Sequence, residues 1–171
     1  MLLDGDEWRA TLHDFRQEAW RLETLPQYLV PQEAEEFDAF RAGQRIDPLA
    51  CSSPYLEDLD RLRREGKRKG RVHVVTRPLS EYLRFEFSRY YAPHARAGED
   101  IRILDVTDRE NPLPEVQDFW MFDRSKVVLM HYAEDGRQVG RELYEGDPAP
   151  FVEYRRIAVA ASTPFLEYVG E

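Results

Sequence analysis

The chain predicts an α+β fold: a helical N-terminal third packed on a mixed, mainly antiparallel sheet of about five strands with flanking helices. Three observations predict it. Residues 118–123 read D-F-W-M-F-D, four large apolar side chains closed at each end by a carboxylate. Period-two alternation puts Phe119 and Met121 on one face and Trp120 and Phe122 on the other, so this strand is covered on both sides. From Arg71 onward, valine- and aromatic-rich runs are separated by turn signals, Asp135-Gly136 among them. Before Gly66, by contrast, the periodicity and stop signals are helical.

The elements follow in order. Trp8, Leu12, Phe15, Ala19 and Leu22 make one stripe, which predicts a helix over 7–23 with Asp4 and Asp6 at its positive N-terminal end. Leu25-Pro26 stops it. Pro31 opens a second helix that ends at Gly43, its face Ala34, Phe37 and Phe40. A loop runs from Ile46 to Pro54. Ser53-Pro54 starts a third helix, with Ser as cap and Pro in the first turn, and Tyr55, Leu59 and Leu62 inward. Arg71 to Thr76 reads as a strand and Leu79 to Tyr91 as a helix. Ile101 to Thr107 is the next strand. Three more follow as a meander: 118–123, 127–132 and 138–144. Asp147-Pro148 caps a last helix to about Ser162, and residues 165–169 pack back as a tail. The strand–helix–strand unit implies one parallel pairing within the sheet.

The 171 residues are 42 % hydrophobic and one third charged, a profile that suits one domain: a helical part over 1–66 and an α/β core over 71–171. No apolar run would span a bilayer and the start lacks a signal-peptide pattern, so the expected compartment is the cytoplasm. Cys51 alone makes neither an internal disulfide nor a cysteine metal site. Charge is segregated. Residues 1–60 hold 5 basic and 14 acidic side chains, residues 61–102 hold 12 and 5, and residues 103–171 hold 7 and 14, which sum to the net −9. A basic middle between acidic flanks reads either as complementarity across the fold or as an anion-binding face.

Four groups of residues carry candidate chemistry. Asp118, Asp123, His131 and Glu142 lie on or beside consecutive strands. They could hold a metal through oxygen and imidazole, or act as acid and base. Against that, Asp118 and Asp123 suit strand ends accepting backbone bonds, and the spacing matches no metal template. No metal or other cofactor is expected. Arg64, Lys67, Arg68 and Lys69 belong to a basic run over 61–71 that could grip phosphates or simply solvate a helix end. The acidic whole disfavours nucleic acid. Arg21 with Glu23, and Arg84 with Glu86, sit among large apolar neighbours. They read as partly buried pairs tying the N-terminal helices to the core, or as a pocket for a polar or anionic ligand. Helical spacing would pair Glu81 with Arg84 and Glu86 with Arg89. Cys51, Ser52 and Ser53 lack a catalytic context.

The segments A-W-R-L-E at 19–23, P-L-S-E-Y-L-R-F-E at 78–86, A-G-E-D-I-R at 97–102, D-F-W-M-F-D at 118–123 and M-H-Y at 130–132 resemble an uncharacterised domain family of actinobacteria. Tyr154-Arg155 and Pro164-Phe165 look like it too. The resemblance implies no chemistry. It does imply an encoded neighbourhood of helix-turn-helix regulators and small acidic proteins. A more distant likeness is to one half of the phospholipase D fold. That family's reactive signature sets a lysine two residues after a histidine, whereas His131 is followed by Tyr132 and Ala133. The expected role is therefore a noncatalytic regulatory or protein-interaction domain, working with a DNA-binding regulator or a small acidic protein, and compatible with a homodimer. The alternatives are a small-ligand sensor or enzyme whose polar pocket is built from Arg21, Glu23, Arg84, Glu86, Asp118, Trp120, Asp123 and His131, and nucleic-acid binding through the basic run.

Overall fold

In the computed structural model, which describes residues 1–45 and 53–171, seven strands form one mixed sheet ordered β6-β5-β4-β1-β2-β3-β7. Cys51, Ser52 and most of the expected 46–54 loop lie outside the described residues. The elements are α1 Gly5–His13, β1 Glu18–Glu23, α2 Ala34–Arg41, α3 Pro54–Arg64 and β2 Arg68–Val75. Then come α4 Glu81–Glu86, α5 Ala92–Arg96, β3 Asp100–Asp105, β4 Phe119–Phe122, β5 Lys126–Tyr132 and β6 Gln138–Leu143. The chain closes with α6 Ala149–Ala161, β7 Thr163–Pro164 and α7 Phe165–Tyr168. A π turn, Phe87–Tyr91, joins α4 to α5, so the one helix expected over 79–91 runs on to Arg96.

The main correction concerns the N-terminal third. The expected helix over 7–23 ends at His13, and Glu18–Glu23 is a strand at the centre of the sheet. It pairs parallel with β2 and antiparallel with β4. Its sequence explains this. Trp20 and Leu22 alternate with Ala19, Arg21 and Glu23, a period-two pattern that a helical stripe through Ala19 and Leu22 also accommodates. Asp4 caps α1 through a reciprocal box with Glu7, a local signal for the start, and no glycine or proline marks the end. The expected parallel pair β2–β3 is present, and the β4–β5–β6 meander is antiparallel.

One sheet face packs α6: Phe151 and Ala158 lie on Trp20, Leu22, Val72, Phe119 and Met121. The other face carries two apolar clusters. Toward β3, the α4–α5 helical stretch and α7 bring Leu83, Phe85, Tyr91 and Phe165 onto Val75, Ile101 and Ile103. Toward β5, Phe15 and Leu62 cover Ala19, Trp120, Phe122 and Met130. Between these clusters β1 and β2 present Arg21, Glu23, Arg71 and His73. Among the described residues no helix is long and apolar enough to cross a membrane.

Candidate functional site

Parallel pairing sets Arg21 directly opposite Arg71, and Glu23 opposite His73. Two guanidiniums side by side on one sheet face repel unless carboxylates stand between them. Here they do. Arg71 is buried and donates from Nε and Nη2 to the two oxygens of Glu99, at 2.9 and 3.2 Å, a bidentate pair. Its Nη1 donates to Glu23 Oε1 at 3.1 Å, and Nη2 donates to the Tyr55 hydroxyl at 3.3 Å. Arg21 sits 2.9 Å from Glu23 and 3.9 Å from Glu99 as a charge neighbour, without an aligned hydrogen bond, and its guanidinium lies over Trp120 at 4.6 Å. Two arginines are thus matched by two glutamates.

A third carboxyl breaks the balance. Glu86 comes from α4, is buried, and its Oε2 has no hydrogen-bond partner among the described residues. Burial and the neighbouring charge of Glu23 push it up to about 8, against the pull of Arg71. It is therefore a neutral acid at pH 7. Burial also acts on Glu23, but the two arginines outweigh it and hold Glu23 down near 2. Glu99 is lowered by the same contest between burial and the arginines. Burial lowers His73 and brings His94 down to about 3, so both imidazoles are neutral.

The His73 ring is committed at both nitrogens. Nε2 lies 2.8 Å from the Leu25 carbonyl, so it carries the proton, and Nδ1 lies 2.7 Å from the Tyr91 hydroxyl, which donates to it. Glu23, His73 and Glu86 offer ligand atoms within 4.8 Å of one another. By donor type they would suit a divalent cation. Arg71 Nη1, however, stands 3.1 Å from Glu23 and 3.9 Å from Glu86. The guanidinium already occupies the cationic place, and the trio does not fit a metal.

These groups line a cavity of about 800 Å³. Asp118 borders it as well. This carboxylate accepts from the Thr24 amide at 2.9 Å, the Thr24 hydroxyl at 2.5 Å and the Tyr28 hydroxyl. Burial nonetheless raises it to about 6, with those bonds pulling the other way. Arg21, Glu23, Glu86, Asp118 and Trp120 all line this cavity.

Arg84, Asp123 and His131 do not. Arg84 is two residues from Glu86, about 200° around the helix, and is exposed. Asp123 is a strand-end acceptor: its oxygens take the backbone N–H groups of Arg16, Gln17 and Glu18 at 2.7–3.0 Å. His131 alternates with Met130 and Tyr132, which line the cavity, so it faces away and bonds Glu142 at 2.8 Å. The surface pairs expected along the helix also differ. Glu81 meets Arg41 at 2.9 Å, and Arg89 meets Glu36 at 2.8 Å. The reading by residue type missed Arg71, His73, Glu99, Tyr55 and His94. The available signal was the alternation of Arg71 and His73 with Val72 and Val74.

In the basic run, Lys67 lies 3.0 Å from Glu65, Arg68 lies 3.8 Å from Glu18, Lys69 lies 3.6 Å from Asp58, and Arg64 pairs with Asp60.

The fold and site define an α+β protein with a balanced, cavity-lining ion cluster set between two apolar clusters on one sheet face. The chain belongs to the family described as "Domain of unknown function (DUF6879)", whose model matches residues 6–170. No curated protein matches it. Among solved structures it is similar to Nuc, a phospholipase D family member from Salmonella typhimurium, with a TM-score of 0.47 and 10 % identity over 91 % of this chain and 86 % of that one. At that level the likeness is distant.

Proposed function

We propose that this is a noncatalytic ligand-binding regulatory domain, which takes a small polar molecule into the cavity over β1 and β2 and passes its occupancy to a protein partner. The observation that carries the reading is the convergence of Arg21, Glu23, Glu86, Asp118 and Trp120, from three separate segments, on one concave site. Binding rather than chemistry is favoured because the charged groups are already committed to each other. Glu23 and Glu99 hold Arg71, and His73 uses both ring nitrogens. A helix-turn-helix regulator in the cytoplasm is the partner that the family resemblance suggests. Nucleic-acid binding through 61–71 is the weaker reading, since Arg64, Lys67, Arg68 and Lys69 each have a carboxylate within 4.0 Å.

The test uses tryptophan fluorescence, because Trp8 and Trp120 both line the cavity. A panel of small anions, cations and neutral compounds is titrated against the full chain. At least one compound should saturate, and Trp120→Leu should abolish its signal and its calorimetric heat. If no compound of any charge binds, the ligand-binding reading is lost.

A further inference from the structure

The polar cavity has an apolar neighbour. A groove of about 580 Å³ runs beside α2, which turns Ala34, Phe37, Asp38 and Arg41 toward it, the i, i+3, i+4, i+7 stripe of one helix face. Leu29, Val30 and Pro31 supply more of its wall. Phe37 backs onto the core, edge-on to Tyr82 at 5.5 Å and tilted on Phe85 at 5.1 Å. The charged side chains at α2 and the start of α4 are engaged with their neighbours. Arg41 reaches Glu81 at 2.9 Å and Asp38 at 4.0 Å, and Glu33 accepts from the Tyr82 hydroxyl at 2.8 Å. What the groove offers a visitor is hydrocarbon.

The groove and the cavity share a wall. Residues 28–31, Glu33, Tyr82 and Arg137 line both. One short stretch of chain is thus the partition, and it is pinned at two points: the Tyr28 hydroxyl donates to Asp118, and the Leu29 amide donates to the Gly136 carbonyl at 3.0 Å. Tyr28 divides in the same sense. Its hydroxyl meets the carboxylate that borders the cavity, while its ring meets Tyr82 edge-on at 6.3 Å. The exposed part of the partition is Leu29, 43 % accessible and bridged to the exposed Arg137. A lone exposed leucine means little. This one borders a charged cavity and an apolar groove at once, so a molecule crossing between them passes over hydrocarbon and strips no charge of its water.

Resting on the reading of the cavity over β1 and β2 as a ligand site, we infer that its ligand is amphipathic: a polar head enters that cavity, and an alkyl or aryl arm lies across Leu29 into the α2 groove. Each space is of small-molecule size, and their common wall favours one molecule over two. The arm is recognised by apolar burial, so the inference is independent of the charge that the head carries.

The experiment titrates the full chain, by calorimetry and tryptophan fluorescence, with three pairs of probes, each kept below the concentration at which it forms micelles: methyl and octyl glucoside, acetate and octanoate, methylammonium and octylammonium. For at least one head the octyl member should bind at least roughly a hundredfold tighter than its short partner, the gain from burying about four of the added methylenes at roughly fourfold each. Leu29→Asn and Ala34→Gln, both at exposed positions of the groove, should each cut that gain by at least roughly tenfold and leave any measurable binding of the short probe as it was. Val139→Asn, at an exposed apolar position outside both spaces, should change nothing. Trp120→Leu, in the cavity alone, should weaken the octyl probe too, because head and arm belong to one molecule. The inference is overturned if octyl and short probes of every head bind within roughly threefold of each other, or if no octyl probe binds. It is equally overturned by a gain that survives both groove substitutions, or by octyl binding that ignores Trp120→Leu. A short probe that saturates without a gain from its octyl partner, or another small compound that saturates the tryptophans when no octyl probe does, leaves the cavity standing as a ligand site and refutes only the arm.

Discussion

Arg71→Met is the sharpest test of how the buried cluster is held. The side chain is of similar length and keeps the packing over Tyr91, where the guanidinium sits 4.8 Å from the ring centre. What it removes is the bidentate pair of hydrogen bonds to Glu99, together with one donor to Glu23. Glu99 has 1 % of its side chain exposed and Glu23 10 %, so water cannot take the guanidinium's place. Breaking one side of a buried pair costs about 3–5 kcal/mol, because the other charge is left uncompensated. For a chain of this size that lowers the melting temperature by roughly 6–20 °C. The loss should depend on pH in a particular sense. Arginine holds the two glutamates below their ordinary range, so wild-type stability from this source is present above the unfolded pKa and is lost only as pH falls toward 2. Without Arg71 the orphaned carboxylates are raised and can be relieved by protonation, so the variant should be damaged more at pH 8 than at pH 5. Adding Glu99→Gln should recover part of the loss. Urea unfolding at the two pH values measures all of this. A variant within about 1 kcal/mol of wild type at pH 8 would show that the cluster is solvated and the burial argument is wrong.

Glu86 works in the opposite direction: with a folded pKa near 8, it makes stability fall as pH rises from its unfolded value to about 8. Glu86→Gln should therefore unfold at higher urea than wild type at pH 9 and show a flatter pH profile from 5 to 9; an unchanged profile refutes the assignment. Asp123→Ala removes the acceptor for three backbone N–H groups ahead of β1 and should cost about 1–3 kcal/mol. Faster amide exchange at residues 16–18 is the readout that locates the loss. Gly136 has φ of +87° and a Cβ there would meet the Gln27 carbonyl oxygen at 2.4 Å. Gly136→Ala should push the hairpin off residues 27–29, of which Tyr28 and Leu29 border the cavity, and weaken any tryptophan-detected ligand along with stability; intact binding would separate the hairpin from the site.

Much of this fold is legible in the sequence, and the failures have identifiable causes. Ser53 caps α3 through its hydroxyl and the Leu56 amide at 3.3 Å, as the Ser-Pro signal implies. The meander strands fall within a residue or two of their expected bounds because alternation and turn residues agree there. Strand β1 was not legible as a strand because two periods fit the same residues, and only its place between β2 and β4 selects one. Two-residue β7 carries no periodicity at all. In the site, Trp-Arg-Leu-Glu pointed to two residues that line the cavity, since a charge set between large apolar neighbours on a buried element must find a partner. Arg71 escaped because it ends a run of cations of which Arg63, Arg64 and Arg68 face solvent. Its difference lies in the valines beside it rather than in its charge.

The segregation of charge along the chain finds its meaning in those partners. Arg71, Arg89 and Arg68, from the basic middle, reach Glu23, Glu36 and Glu18 of the acidic start. Arg96 reaches Glu171 at the end. Complementarity across the fold, the plainer of the two readings of the pattern, accounts for these pairs. The same matching holds at the cavity. Glu23 and Glu99 hold Arg71, Arg21 stands 2.9 Å from Glu23, and Lys69 lies 3.6 Å from Asp58. Exposed pairs contribute about 0–1 kcal/mol each and add little to stability. The buried cluster is different, because charge out of water persists only where something matches it. Replacing a whole buried ion cluster with apolar side chains is often neutral or stabilising. Removing one partner is what costs, so each buried arginine here depends on the glutamates that face it.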